Sequence, residues 1–91
     1  MVAKSFVLYY QANGLSHNRL GVCAGKDAIG NAVARNRAKR LLREAYRQNR
    51  PNFRPGFDFI LVARKNLLNL KAPELIREFR NCLFSAGLII V

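Results

Sequence analysis

The sequence predicts an α+β fold, a single-domain α-β sandwich in which helices pack on a small sheet. Three observations lead there. A chain of 91 residues can bury one modest core and has no room for a second domain. Its hydrophobic share of 51% suits a packed globule rather than a disordered chain. Finally, the apolar residues fall into segments that read in order as strand, strand, helix, strand, helix.

The first strand is SFVLYY, residues 5–10, rich in aromatic and β-branched types. On a two-residue period Ser5, Val7 and Tyr9 share one face, and Phe6, Leu8 and Tyr10 share the other. The Asn13-Gly14 pair then marks a turn leading to a second strand over Arg19–Ala24. Glycines bound GKDAIG, so residues 25–31 read as a loop. Asn31 suits the N-cap of a helix over Ala32–Gln48, which Pro51, Pro55 and Gly56 bring to an end. GFDFILVAR, residues 56–64, is apolar on both faces, which predicts an interior strand covered on each side. A last helix begins near Pro73, a residue favoured in the first turn, and stops at Gly87. Its core face carries Leu75, Phe79, Leu83 and Ala86, with Ile76 and Cys82 beside them.

Charge narrows the function classes. Lys and Arg number 16 against five acids, Asp27, Glu44, Asp58, Glu74 and Glu78, for a net charge of +11. Such a chain attracts polyanions. Cys23 and Cys82 fit no metal-ligand spacing and read as small buried hydrophobes in a reducing compartment, with a single disulfide left open. The N-terminus, MVAKSFVLYY, lacks the layout of a signal peptide. No apolar run approaches the roughly 20 residues of a membrane span. A soluble cytoplasmic protein is expected.

The positive charge is concentrated in one helix. On a wheel of about 100° per residue, Ala34, Ala38, Leu41, Leu42 and Ala45 occupy one sector, wide enough to seat the helix on a sheet. Arg35, Asn36, Lys39, Arg40, Arg43 and Arg47 take the opposite side, and Arg37 lies on a flank with Glu44. Like charges four residues apart, as in Arg35, Lys39, Arg43 and Arg47, destabilise a helix by roughly 0.2–0.5 kcal/mol per pair. A face serving solubility alone would interleave acids. This one is built for phosphate, which Arg grips through paired N–H groups. An anionic membrane surface fits poorly, because the opposite face carries alanines where lipid insertion needs bulk.

Residues for catalysis are missing from the pattern. His17 is the single histidine and sits in a turn-rich stretch, where an exposed surface role is the ordinary one. No paired carboxylates, metal-ligand set, phosphate-loop spacing or nucleophile motif occurs.

RNRAKRLLREAYR, residues 35–47, closely resembles the signature of the ribonuclease P protein family, R-N-R-x-K-R-x-x-R with apolar spacers. The flanks agree: RLGV and IGNAV before it, and G-x-D-x-x-x-x-A-R from Gly56 to Arg64 after it. The resemblance covers nearly the whole chain. It implies a sandwich with a left-handed βαβ crossover, against the usual hand. It also implies a subunit of an endoribonuclease holoenzyme whose catalytic site lies in the partner RNA. That RNA uses Mg2+, and the protein itself holds no cofactor and no catalytic residue. Arg35, Asn36, Arg37, Lys39, Arg40 and Arg43 fall on the family's RNA-binding positions, and Arg47 extends them. Tyr9 corresponds to the family's cleft tyrosine, which with Val7 and Lys26 would meet the 5′ leader of precursor tRNA.

Two departures stand out. The chain starts after the helix that normally opens the family, and Lys26-Asp27-Ala28-Ile29-Gly30 carries one extra residue and an acid. A structural RNA-binding protein of the ribosome or another ribonucleoprotein is the competing reading, and an autonomous nuclease the third. Self-association is left open.

Overall fold

The computed structural model describes residues 1–50 and 53–89. Pro51, expected to help end the arginine helix, lies outside them. The elements run β1 (Phe6–Ala12), β2 (Arg19–Cys23), α1 (Lys26–Ile29), α2 (Ala32–Asn49), β3 (Phe57–Ala63) and α3 (Ala72–Ser85), with a 3-10 turn at Leu67–Asn69 before the last helix. The anticipated order holds, and α1 and the 3-10 turn are additions to it.

β1 and β2 do not pair with each other. β3 lies between them, antiparallel to β1 and parallel to β2, giving the order β1-β3-β2. β2 and β3 are thus parallel neighbours joined through α2, a βαβ crossover. The strand expected in the interior is central by hydrogen bonding, yet only one of its faces is covered. Phe59, Leu61 and Ala63 are buried, whereas Ile60 on the other face is 46% exposed. Both long helices contribute to a single core, and among the described residues no further helix or sheet covers the second sheet face.

That core joins Phe6 and Leu8 of β1 and Phe59 and Leu61 of β3 to Ala38, Leu42 and Ala45 of α2 and to Leu75, Phe79 and Leu83 of α3. Each fully buried large side chain contributes about 1.5–3 kcal/mol. Phe6 and Phe79 meet edge to face at 5.7 Å. The two buried polar residues, Ser5 and Asn49, both find partners: Asn49 Nδ2 donates to the carbonyls of Ala45 at 2.9 Å and Ile76 at 3.2 Å, tying α2 to α3. Ser5 was expected to open β1. Instead it is buried just before the strand, its N–H and hydroxyl each donating to a carboxylate oxygen of Glu78.

Local chemistry sets the remaining boundaries. Residues 25–31 are a loop only at their glycines; between them KDAI closes one helical turn through Ile29 N–H to the Gly25 carbonyl and Gly30 N–H to that of Lys26. α3 stops because Gly87 adopts φ +73°. There Gly87 and Leu88 donate back to the carbonyls of Phe84 and Leu83, a Schellman motif. Cys23 departs from expectation: β2 turns Leu20 and Val22 inward and Cys23 outward, so it is exposed, while Cys82 is buried and both thiols are free. No helix among the described residues is long and apolar enough to cross a membrane.

Candidate nucleic-acid interface

α2 begins where Asn31 Oδ1 accepts the Ala34 N–H at 2.9 Å, supplying a partner for one of the helix's free amides. Its 18 residues make a rod about 27 Å long at 1.5 Å per residue. Ala38, Leu42, Ala45 and Asn49 form the buried stripe, and this fixes which side chains project outward. Asn36, Arg37, Arg40, Arg43 and Arg47 are exposed. Arg37, assigned to a flank by the wheel, therefore stands in solvent with the others.

Two members of the predicted face sit differently. Arg35 and Lys39 are half-buried. Arg35 lies seven residues before the buried Leu42, on nearly the same stripe of the helix. Its Nε is buried with no hydrogen-bond acceptor among the described residues, a condition costing roughly 1–3 kcal/mol unless an outside acceptor meets it.

Arg47 is exposed but engaged. Its guanidinium grips Glu44 at 2.7 Å, and Gln48 donates to the same carboxylate. These hydrogen bonds, Arg47 first, hold the Glu44 carboxyl below its ordinary range and push Arg47 up. The ion pairs among the described residues are this one and Arg19–Asp58, so Arg37, Arg40 and Arg43 keep their charge uncompensated at close range.

The uncovered sheet face forms the second surface, and the strand register orders it in rows. Val7, Val62 and Cys23 align across the three strands, then Tyr9, Ile60 and Gly21, then Gln11, Asp58 and Arg19. Tyr9 is 58% exposed, and Gly21 has no side chain, so the middle row is a shallow trough with an aromatic wall. Neighbouring strands stand about 4.8 Å apart, a scale suited to a flat ring. Val7 is half-buried in the first row, and Lys26, exposed at the start of α1, follows Cys23 at the same end of the face. Of the three residues expected in a cleft, Val7 and Tyr9 thus share the open face, and Lys26 lies beyond the strands in α1.

At the far end, Arg19 and then Asn13 hold Asp58 down to about 2, so the row there is charge-balanced. Ile60 and Gly21 were not singled out from the sequence. Two-sided apolarity in β3 concealed Ile60, and a glycine within a strand was the available sign of a close approach to the sheet. Among the described residues no group of three His, Cys, Asp or Glu side chains is placed to hold a metal ion.

The sequence model of a family described as Ribonuclease P matches residues 1–87. A ribonuclease P protein component from Natranaerobius thermophilus is 49% identical over 76 residues, covering 84% of this chain and 65% of the relative. One from Pseudomonas syringae is 43% identical over the same length, covering 84% and 56%. The chain thus spans less than two thirds of either relative. A solved Staphylococcus aureus RNase P protein superposes with a TM-score of 0.82 at 28% identity, covering 98% of this chain and 81% of that one.

Proposed function

The chain belongs to the ribonuclease P protein family, and from that premise we propose that it is the protein subunit of a ribonuclease P holoenzyme. In this reading α2 docks on the catalytic RNA of ribonuclease P, and the open sheet face takes the 5′ leader of precursor tRNA. The holoenzyme then hydrolyses the phosphodiester that frees the mature 5′ end, in the cytoplasm. The chemistry belongs to the RNA and its Mg2+, and this chain contributes binding.

One observation carries the proposal: Arg37, Arg40 and Arg43, with Asn36 among them, project together from a helix whose reverse is locked into the core. A guanidinium matches two phosphate oxygens at once, and Asn36 can both donate and accept toward a base edge or a 2′-hydroxyl. The buried Arg35 Nε supports the same reading, since a phosphate oxygen would supply the acceptor it lacks. On the sheet, Tyr9 offers a stacking surface for an unpaired leader base. Val7 floors the approach, and Lys26 supplies charge for the neighbouring phosphate.

Reconstitution tests this. The chain is added to a bacterial ribonuclease P RNA at low magnesium, and precursor-tRNA cleavage is followed. Faster cleavage, with tighter binding of precursor than of mature tRNA, is expected. A folded protein that gives no gain would refute the subunit role, and cleavage by the protein alone would move the catalytic site into this chain.

A further inference from the structure

Beyond the arginine face and the open sheet lies a third feature, on the helix side of the sheet. A cleft of about 500 Å³ opens between the start of β2 and the end of α2, lined by His17, Leu20, Tyr46, Arg50, Phe53 and Pro55. It is separate from the trough beside Tyr9. Leu20 pairs with Phe59, a core-facing residue, while Tyr9 pairs with Ile60 on the opposite face. The volume falls in the usual range for a small-ligand site, roughly 300–1,000 Å³.

Its lining combines two chemistries. Phe53, buried, packs on the Tyr46 ring at 4.8 Å, and Phe59 holds that ring from another side at 5.9 Å. Tyr46 and Phe53 thus form an aromatic wall of the cleft. Arg50 shares the cleft with Tyr46. It is exposed and forms no ion pair among the described residues. His17 and Asn18 add further nitrogen-bearing side chains to the lining. A slot that sets Leu20, Phe53 and Pro55 beside polar groups and a guanidinium suits a planar heterocycle joined to an anion.

Position selects which such ligand. Arg40, Arg43 and Arg47 lie on one side of α2, and Arg50, the residue that caps its end, continues the row at intervals of three and four residues. The row extends over about 15 Å of helix and ends at the cleft. A phosphate chain lying along it would bring its next nucleotide to this opening.

We infer that the cleft is a nucleotide pocket, receiving one unstacked ribonucleotide of the RNA docked along α2. Its base lies against Leu20, Phe53 and Pro55, and its phosphate meets Arg50. The inference rests on the RNA-docking role of α2 and adds a base-accepting site to a surface otherwise read as contacting phosphates.

The test uses a probe that needs no ribonuclease P RNA. Adenosine 5′-monophosphate is titrated into the isotopically labelled full chain and followed by amide chemical shifts, with inorganic phosphate as the control. Shifts at Leu20, Arg50 and Phe53 with the nucleotide, and not with phosphate, are expected. Arg50→Gln, at an exposed site, should retain the wild-type spectrum elsewhere and weaken the nucleotide by at least about fivefold, as loss of a charge-assisted contact requires. Arg80→Gln, exposed on α3 and outside the lining, should leave mononucleotide binding unchanged. Equal shifts with phosphate would reduce the site to an anion contact and overturn the pocket. So would silence at the cleft, or shifts confined to the Tyr9 face. If the same protein still stimulates precursor-tRNA cleavage, the subunit role stands and the nucleotide pocket alone falls.

Discussion

Arg19 and Asp58 are register partners on adjacent parallel strands, and the guanidinium grips both carboxylate oxygens, Nε to Oδ1 and Nη2 to Oδ2, each at 2.7 Å. Asn13 Nδ2 reaches the same carboxylate at 3.0 Å and the His17 carbonyl at 3.2 Å. The turn after β1 is thereby fastened to the start of β3.

This fastening is pH-dependent. The Asp58 carboxyl is lowered from 3.8 to about 2 by its hydrogen bonds, that from Arg19 foremost. A depressed folded-state value stabilises above the unfolded value and loses that effect as pH falls through the folded one. Thermal melts followed by circular dichroism from neutral to strongly acid pH should show the chain weakening between about pH 4 and about pH 2. Asp58→Asn should melt lower at neutral pH and decline less across that window. Parallel curves for the two proteins would show that Asp58 is not the group responsible.

Opposite sides of α2 should fail in different ways. Ala38 is fully buried, so Ala38→Glu places an unpaired charge in the core, at a cost of about 3–5 kcal/mol, a large part of a small domain's stability. Loss of the folded circular dichroism signal is expected. Arg40→Gln with Arg43→Gln should keep the fold, weaken RNA binding and flatten its salt dependence by roughly 0.7–0.9 in log–log slope per lost phosphate contact. Similar behaviour of both sets would mean the helix faces are misassigned.

Glu44 competes with RNA for Arg47. Because its carboxylate occupies that guanidinium at 2.7 Å, Arg47→Gln should cost less RNA affinity than Arg43→Gln. Glu44→Gln should tighten binding and steepen the salt slope by about 0.7–0.9. Filter binding across a salt series checks both, and weaker binding by Glu44→Gln would count against the competition.

How far the sequence foretold these features depends on the distance over which each is decided. Asn31, Leu42 and Gly87 act within a few residues, so the cap, the seat of α2 and the stop of α3 were legible from spacing. Ile60 was misread because an apolar strand does not reveal how many layers cover it; both helices went to one side. Cys23 was misread because the strand's alternation does not say which of its faces meets the core. Arg47 and Glu44 are three residues apart, and a wheel that tracks backbone direction ignores the reach of their side chains. The cleft between His17 and Arg50 joins residues far apart in the chain, and only the tertiary fold brings them together.

Two glycines separate stability from recognition. Gly56 has φ +87°, and a Cβ there would stand 2.9 Å from the Leu15 carbonyl oxygen. Gly56→Ala should lower stability by more than about 1 kcal/mol with no selective effect on any RNA. Gly21 is the reverse case. A Cβ there would rest 3.8 Å from Ile60 Cγ1, an ordinary contact, and a β-branched residue suits a strand. Gly21→Val should therefore fold, yet it fills the trough beside Tyr9 in the middle row of the open face. Precursor tRNA should lose about tenfold in affinity for the reconstituted holoenzyme, the scale of one base stack, while mature tRNA binds as before. An equal loss for both RNAs would place the leader elsewhere than on this face.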